Sequence, residues 1–253
     1  MEQELCPQCA GTGWEVITEG SISRARRCQC SISADTDKLF TSARIPPRYA
    51  NCDFDNYIPQ SFSQGKTKSL VMSYAEDYPL LDEETFRERS LLFTGGAGRG
   101  KTHLGVAILK TLLRKSVPCL FVDFHELLSE IRSSYDEISQ TSEYEILRPI
   151  LNIEILLLDD LGSIRMTDWM QDTVFHIINL RYNHRKPLIV TSNLSMEGSK
   201  TSNQETLQDR LGYRVVSRLY EMCTNVELDG PDYRKDVRKA GGDFLRSKRE
   251  GNA

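Results

Sequence analysis

Short apolar runs recur along the chain, and each but the last is followed by a stretch where apolar residues return every three or four positions. The runs are residues 90–94, 118–122, 153–160, 187–191 and 224–228, all of strand length. Helical spacing follows at 103–113, with apolar positions 104, 107, 108, 112 and 113, and at 124–134, where Leu127, Leu128 and Ile131 share a face. It returns at 168–182 and at 204–222, the latter broken near Gly212. Residues 143–151 read as a short helix interrupted at Pro149, and 66–78 as an amphipathic helix ahead of the first run. The run at 153–160 is nearly continuously apolar. A strand apolar on both faces belongs in a parallel sheet covered by helices. The pattern predicts an α/β fold with a five-stranded parallel sheet.

The turn after the first run carries chemistry. Gly95-Gly96-Ala97-Gly98-Arg99-Gly100-Lys101-Thr102 matches G-x-x-x-x-G-K-[ST] at every position, with a strand before it and a helix opening at His103. Glycines let the backbone point several N–H groups at one anion, and the helix N-terminus adds about half a positive charge. Lys101 then reaches the outer phosphates of ATP, and the Thr102 hydroxyl binds Mg²⁺. A neighbouring strand must bring a metal anchor. The run at 153–160 ends in Asp159 and Asp160, outside the carboxyl end of a strand, where ligands of open α/β sheets sit. Asp159 is the Mg²⁺ candidate and Asp160 the candidate base for an attacking water; two acids capping a turn are the bland alternative. Asn193 ends the next run and can hydrogen-bond the γ-phosphate, or be a plain turn residue. Arg214 and Arg218 share one helix face. They can stabilise a phosphoryl-transfer transition state in a neighbouring subunit, or form a solvated surface.

Composition adds an appendage. Four of seven cysteines fall in the first 30 residues: Cys6 and Cys9 as C-x-x-C, then Cys28 and Cys30 as C-x-C after an 18-residue gap. Four thiolates brought together by a hairpin suit Zn²⁺, and about 30 residues cannot bury a core without such help. A disulfide pair or free thiols is the alternative. Cys52, Cys119 and Cys223 stand alone. The net charge of −4 does not announce a nucleic-acid binder, although 23–27 (SRARR) is basic and seven Lys/Arg face four Asp/Glu from Asp232 onward. Arg132, Ser133 and Tyr135 form a candidate contact for single-stranded DNA, or a solvated helix end. No stretch approaches 18 apolar residues and the first residues do not read as a signal peptide, so a cytoplasmic location without membrane contact is expected. Two prolines at 46 and 47 mark a boundary, and Phe54-Asp55-Asn56-Tyr57 reads as extended. The expected units are a zinc-binding unit at 1–33, a linker and pre-core segment at 34–60, an ATPase domain at 61–234 and a basic tail at 235–253.

Taken in order, GGAGRGKTH, LLLDDLG, IVTSN and RVVSRLYEMC, preceded by IPPRYANCDFDNY, resemble the AAA+ ATPases of the DnaC/DnaI helicase-loader and IstB group over about residues 43–234. The resemblance implies Mg²⁺ positions at Thr102 and Asp159, a catalytic base at Asp160 and a sensor 1 at Asn193. It further implies an arginine finger at Arg218 with Arg214 as companion, and a sensor 2 arginine at Arg234. It implies ATP-dependent self-association, a replicative helicase as partner and contact with single-stranded DNA, with the cysteine unit matching zinc-binding loaders. Three rivals stay open: a transposition helper of the same fold, a nucleotide-switched adaptor with little turnover, and a small-molecule kinase, for which no substrate-binding lid signature is visible.

Overall fold

The computed structural model describes residues 6–9, 12, 14–19, 22–78, 89–135, 142–196 and 205–235. Two strands, β1 (Trp14–Glu19) and β2 (Ile22–Arg27), form an antiparallel hairpin between the two cysteine pairs. Helix α1 (Gln29–Ser42) starts inside the second pair, and a 3₁₀ turn (Pro47–Tyr49) and α2 (Phe62–Asp77) lead to the core. The core elements are β3 (Leu91–Thr94), α3 (Lys101–Arg114), β4 (Cys119–Asp123), α4 (Phe124–Ser134), α5 (Glu143–Asn152), β5 (Ile155–Asp159) and α6 (Asp168–Asn183). They continue with β6 (Leu188–Thr191), α7 (Leu207–Leu211), α8 (Tyr213–Met222) and β7 (Thr224–Glu227).

The five core strands pair in parallel, as the apolar pattern predicts, and their order is β4-β5-β6-β3-β7. Alternation along each strand splits the interior into two cores. Leu91, Phe93, Ile155, Leu157 and Ile189 pack with α2 and α3 on one face. Leu92, Leu156, Leu158, Leu188 and Val190 pack with α4, α5, α6 and α8 on the other. Every residue of β3, β5 and β6 is buried, which explains why these strands read as unbroken apolar runs. The outer edge of β4 is closed by the pre-core segment, since Phe121 N–H donates to the Ala43 carbonyl at 2.8 Å.

Four local expectations are corrected. Residues 54–57 are a turn, not an extended segment: Asp53 N–H donates to Asn56 Oδ1 at 3.0 Å and Tyr57 N–H to the Phe54 carbonyl at 3.3 Å. Helix α2 starts four residues earlier than the spacing predicts, because Ser61 caps it by accepting from Gln64 N–H. Helix α5 runs through Pro149. Its last carbonyls find a donor elsewhere: buried Arg181 reaches the Ile150 and Ile153 carbonyls at 3.1 Å and that of Glu154 at 2.8 Å. Burial holds the Arg181 guanidinium down to about 10. Finally, Asp160 lies outside β5, with a left-handed φ of 58°. The glycines at 11 and 13, residue 204, the connections 82–88 and 136–141 and the tail after 235 fall outside the described residues.

Candidate functional site: a phosphate loop and a four-cysteine cluster

The loop between β3 and α3 turns through three positive-φ glycines, and each has a visible need: a Cβ on Gly95 (φ 126°) would sit 2.1 Å from the Leu228 carbonyl oxygen. A Cβ on Gly98 (φ 73°) would sit 1.8 Å from Asp232 Oδ1, and one on Gly100 (φ 90°) 2.5 Å from the Tyr57 ring. The loop is thus held between the pre-core turn and the segment after β7. Tyr57 Oη donates to the Arg99 carbonyl at 3.4 Å from one side. From the other, Tyr233 N–H donates to the Gly98 carbonyl at 3.1 Å, and Arg99 reaches the Leu228 carbonyl at 3.1 Å.

Lys101 is 6% exposed and donates at 2.7 Å to the carbonyls of Gly95 and Gly96 and to Asn193 Oδ1. Burial brings its ammonium down to about 8. Asn193 in turn donates to Asp160 Oδ1 at 2.7 Å, so one amide bridges the lysine and the second acid. Asp160 keeps its left-handed φ while its N–H donates to Thr191 Oγ1 at 2.9 Å, and strain of this kind gathers at functional sites. Thr102 Oγ1 donates to the Asp159 carboxylate, 2.9 and 3.2 Å from its two oxygens, and Thr191 Oγ1 donates to it at 2.6 Å. Burial raises the Asp159 carboxyl above its ordinary value, which a cation beside it would reverse. A hydroxyl in contact with a buried carboxylate is a hard-oxygen donor pair that fits Mg²⁺.

These side chains line one cavity of about 570 Å³, together with Ala97, Arg99, His103 and Arg234. His103 Nε2–H also donates to the Asp53 carbonyl at 2.8 Å and meets the Tyr57 ring edge-on, tying the loop helix to the pre-core turn. The structure does not bring Arg214 and Arg218 to this cavity. Arg218 lies on α8 against α6: Nε donates to Asn179 Oδ1 at 2.9 Å, Nη1 to the Arg214 carbonyl at 3.1 Å, and the guanidinium stands 4.7 Å over the Phe175 ring. Arg214 is exposed. Tyr135 packs edge-on against Trp169 and its hydroxyl binds Glu143, while Ser133 donates its hydroxyl to the Ser129 carbonyl. Sequence reasoning missed Thr191, which holds both Asp159 and Asp160. A hydroxyl in a strand is a common packing residue, and only the adjacent acids could have pointed to it.

At the N-terminus the Sγ atoms of Cys6, Cys9, Cys28 and Cys30 lie within 4.8 Å of one another, with Cys6–Cys28 at 3.8 Å and Cys9–Cys30 at 3.4 Å. Tetrahedral Zn–S bonds of about 2.3 Å require S···S separations of roughly 3.8 Å, so the cluster is compatible with zinc. Cys28 immediately precedes α1 and Cys30 lies in its first turn, which accounts for the C-x-C spacing: the second pair opens a helix instead of closing a second knuckle. Thr12 closes the first, its N–H and hydroxyl both donating to the Cys9 carbonyl at 3.0 and 2.7 Å. The neighbouring thiols, Cys9 first, push the Cys30 thiol far above its ordinary range.

Parallel sheet, glycine loop, adjacent acid-ended strand and bridging asparagine together define a P-loop nucleotide-binding core of the AAA+ kind. Residues 80–241 match the family described as IstB-like ATP binding protein, and the chain belongs to that family. A solved structure of the DnaC helicase loader is 34% identical and superposes with a TM-score of 0.62, covering 73% of this chain and 100% of that one. The replicative helicase loader DnaC of Escherichia coli (strain K12) is 25% identical over 212 residues, 82% of this chain and 80% of that protein. The uncharacterized protein YqaM of Bacillus subtilis (strain 168) is 26% identical over 218 residues, 81% of this chain, and the match spans 63% of its own length. Among the described residues, no helix is long and apolar enough to cross a membrane.

Proposed function

We propose that this chain is an ATP-dependent loader of a replicative DNA helicase. The observation that carries the reading is the Lys101–Asn193–Asp160 bridge beside the Thr102–Asp159 pair, set in a chain that matches a helicase loader over that protein's full solved length. Lys101 exchanges the Gly95 and Gly96 carbonyls for phosphate oxygens when nucleotide enters, and Asn193 is then released to sense the γ-phosphate. Asp160, held by Asn193 and Thr191, orients a water and accepts its proton. Thr102 and Asp159 hold Mg²⁺, whose chemistry when bound is to neutralise charge on the phosphate oxygens. Arg218 faces away from its own pocket and completes that of the next subunit in an ATP-bound assembly, with Arg214 beside it and Arg234 at the mouth of its own cavity. The cysteine unit at 1–33 holds Zn²⁺ and grips the helicase, with 34–60 as linker and pre-core segment, 61–234 as ATPase domain and 235–253 as basic tail. Arg132 and Tyr135 contribute to weak, ATP-dependent contact with single-stranded DNA.

The family description favours a second reading, a transposition helper of the same fold. Capture from a native extract, with this chain as bait in ATP and in ADP, separates the two. Recovery of a ring helicase that depends on nucleotide supports the loader, and recovery of a transposase in its place overturns it.

A further inference from the structure

The cavity has a second end, beyond the phosphate loop, and its two walls come from distant parts of the chain. One wall is the turn before α2, with Tyr57, Ile58 and Gln60; the other follows β7, with Pro231 and Tyr233. Gln64, in the first turn of α2, joins them. Its Oε1 accepts from Gln60 N–H at 2.7 Å, and its Nε2 donates to the Asp229 carbonyl at 2.7 Å. The side chain lines the cavity yet is 3% exposed. Buried amides are tolerated where both ends are bonded, and this one spends both on backbone of opposite walls. The far wall is shaped around it. Gly230 has φ 122°, and a Cβ there would lie 2.7 Å from Gln64 Nε2. The next residues then reach the loop, with Asp232 against Gly98 and Tyr233 N–H on the Gly98 carbonyl.

We infer that Gln64 is a positioning residue for nucleotide retention: it holds the two walls together around the part of the nucleotide that lies beyond the phosphates. The inference rests on the reading of the cavity as an ATP site. The phosphate cradle is built from Gly95–Thr102 backbone and Lys101, none of which bonds Gln64. The tie therefore acts directly on the base and sugar end, and reaches the phosphate end only through the Tyr57 and Tyr233 contacts with Arg99 and Gly98. Loss of a bonded wall shows mainly in the dissociation rate.

The test compares two probes, N-methylanthraniloyl-ATP and inorganic tripolyphosphate, on full-length protein. Gln64→Glu keeps the acceptor for Gln60 and sets a carboxylate against the Asp229 carbonyl. Gly230→Ala attacks the same contact from the other wall. Each is expected to speed release of the fluorescent nucleotide on the order of tenfold, the effect of one lost hydrogen bond. Tripolyphosphate affinity should stay within about twofold of wild type, with no further loss when the two changes are combined. A residue that merely stabilises the fold would weaken both probes together or neither. Equal loss of both probes, or wild-type release from both variants, overturns the inference. Wild-type protein that binds neither probe, or binds both undiminished in Lys101→Ala, overturns the ATP-site reading and the inference with it. Wild-type protein that binds both, with Gln64→Glu and Gly230→Ala indistinguishable from it, overturns the inference alone.

Discussion

At the phosphate loop each candidate group already has a protein partner: Lys101 the Gly95, Gly96 and Asn193 oxygens, Thr102 and Thr191 the Asp159 carboxylate, Asp160 the Asn193 amide. At the cysteine unit four thiols crowd one another beside a two-stranded hairpin, and the neighbours of Cys30 push its thiol up. The first site stands on a sheet whose strands are buried on both faces, so its geometry comes from the core. The second has too little chain to bury a core of its own. A ligand at the first replaces bonds that exist; a metal at the second supplies folding energy that is otherwise missing.

The contrast predicts its largest effect at the cysteines. Cys28→Ala should take bound zinc from one per chain to none and expose the hairpin amides to exchange. The apparent energy at stake is on the order of 10 kcal/mol. ATP affinity and the melting of the core should be unchanged. Elemental analysis and hydrogen exchange read the two halves separately, and stoichiometric zinc in this variant would end the assignment. Inside the core, substitutions should remove function without unfolding. Lys101→Ala should abolish tight ATP binding. Asp160→Asn keeps its shape and should bind ATP while hydrolysis slows by about 10²- to 10⁴-fold. Equal loss of ATP affinity in both variants would show that the two roles are not divided as proposed.

Under the proposed reading, Arg218 is the part of the site that a neighbouring subunit supplies. Its guanidinium is stacked on Phe175 and bonded to Asn179, away from its own loop. If it serves the next subunit, Arg218→Ala should keep ATP affinity and lose roughly 10³-fold in hydrolysis. Mixed with Lys101→Ala, it should regain part of the lost activity, because an intact finger then meets an intact loop. Assembled mixtures with no recovery would return Arg218 to the surface packing seen on α6.

Much of this was readable in advance because it depends on local spacing. The phosphate loop, the paired acids after an apolar run and the five strands each follow from residues adjacent in sequence. The two cysteine pairs could be matched because a hairpin is the shortest way to join them. What escaped depends on contacts between distant residues. Thr191 is an ordinary strand residue until β5 and β6 lie side by side. Gln64 is one more polar residue ahead of the predicted helix until the chain returns at Asp229. Pro149 suggests a break, yet α5 runs on to Asn152 and its C-terminal carbonyls are met by Arg181 of α6, a contact between residues distant in sequence. The aromatic residues at 54–57 suggest a strand, whereas Asp53 and Asn56 bend the backbone into a turn.

The smallest predicted effect concerns protons, and it sets the two sites in opposite directions. Burial lowers free Lys101 to about 8, and only its charged form suits a polyphosphate. Nucleotide affinity should therefore be flat below pH 8 and weaken by up to about tenfold per unit above it. Binding near pH 9 should draw close to one proton from solution, which calorimetry in buffers of different ionisation enthalpy measures. The folded protein gives up this proton before the unfolded chain does, near the ordinary lysine value of about 10.4. Stability of the nucleotide-free protein should thus gain from this group as pH rises from 8, measured as the difference between wild type and Lys101→Met. Zinc affinity must move the other way from ATP affinity, because thiols have to lose protons to bind metal, and so it strengthens as pH rises over the same interval. An ATP affinity that stays constant from pH 7 to 9.5 would mean that Lys101 keeps its proton in the free protein, and that the carbonyls of Gly95 and Gly96 offset its burial.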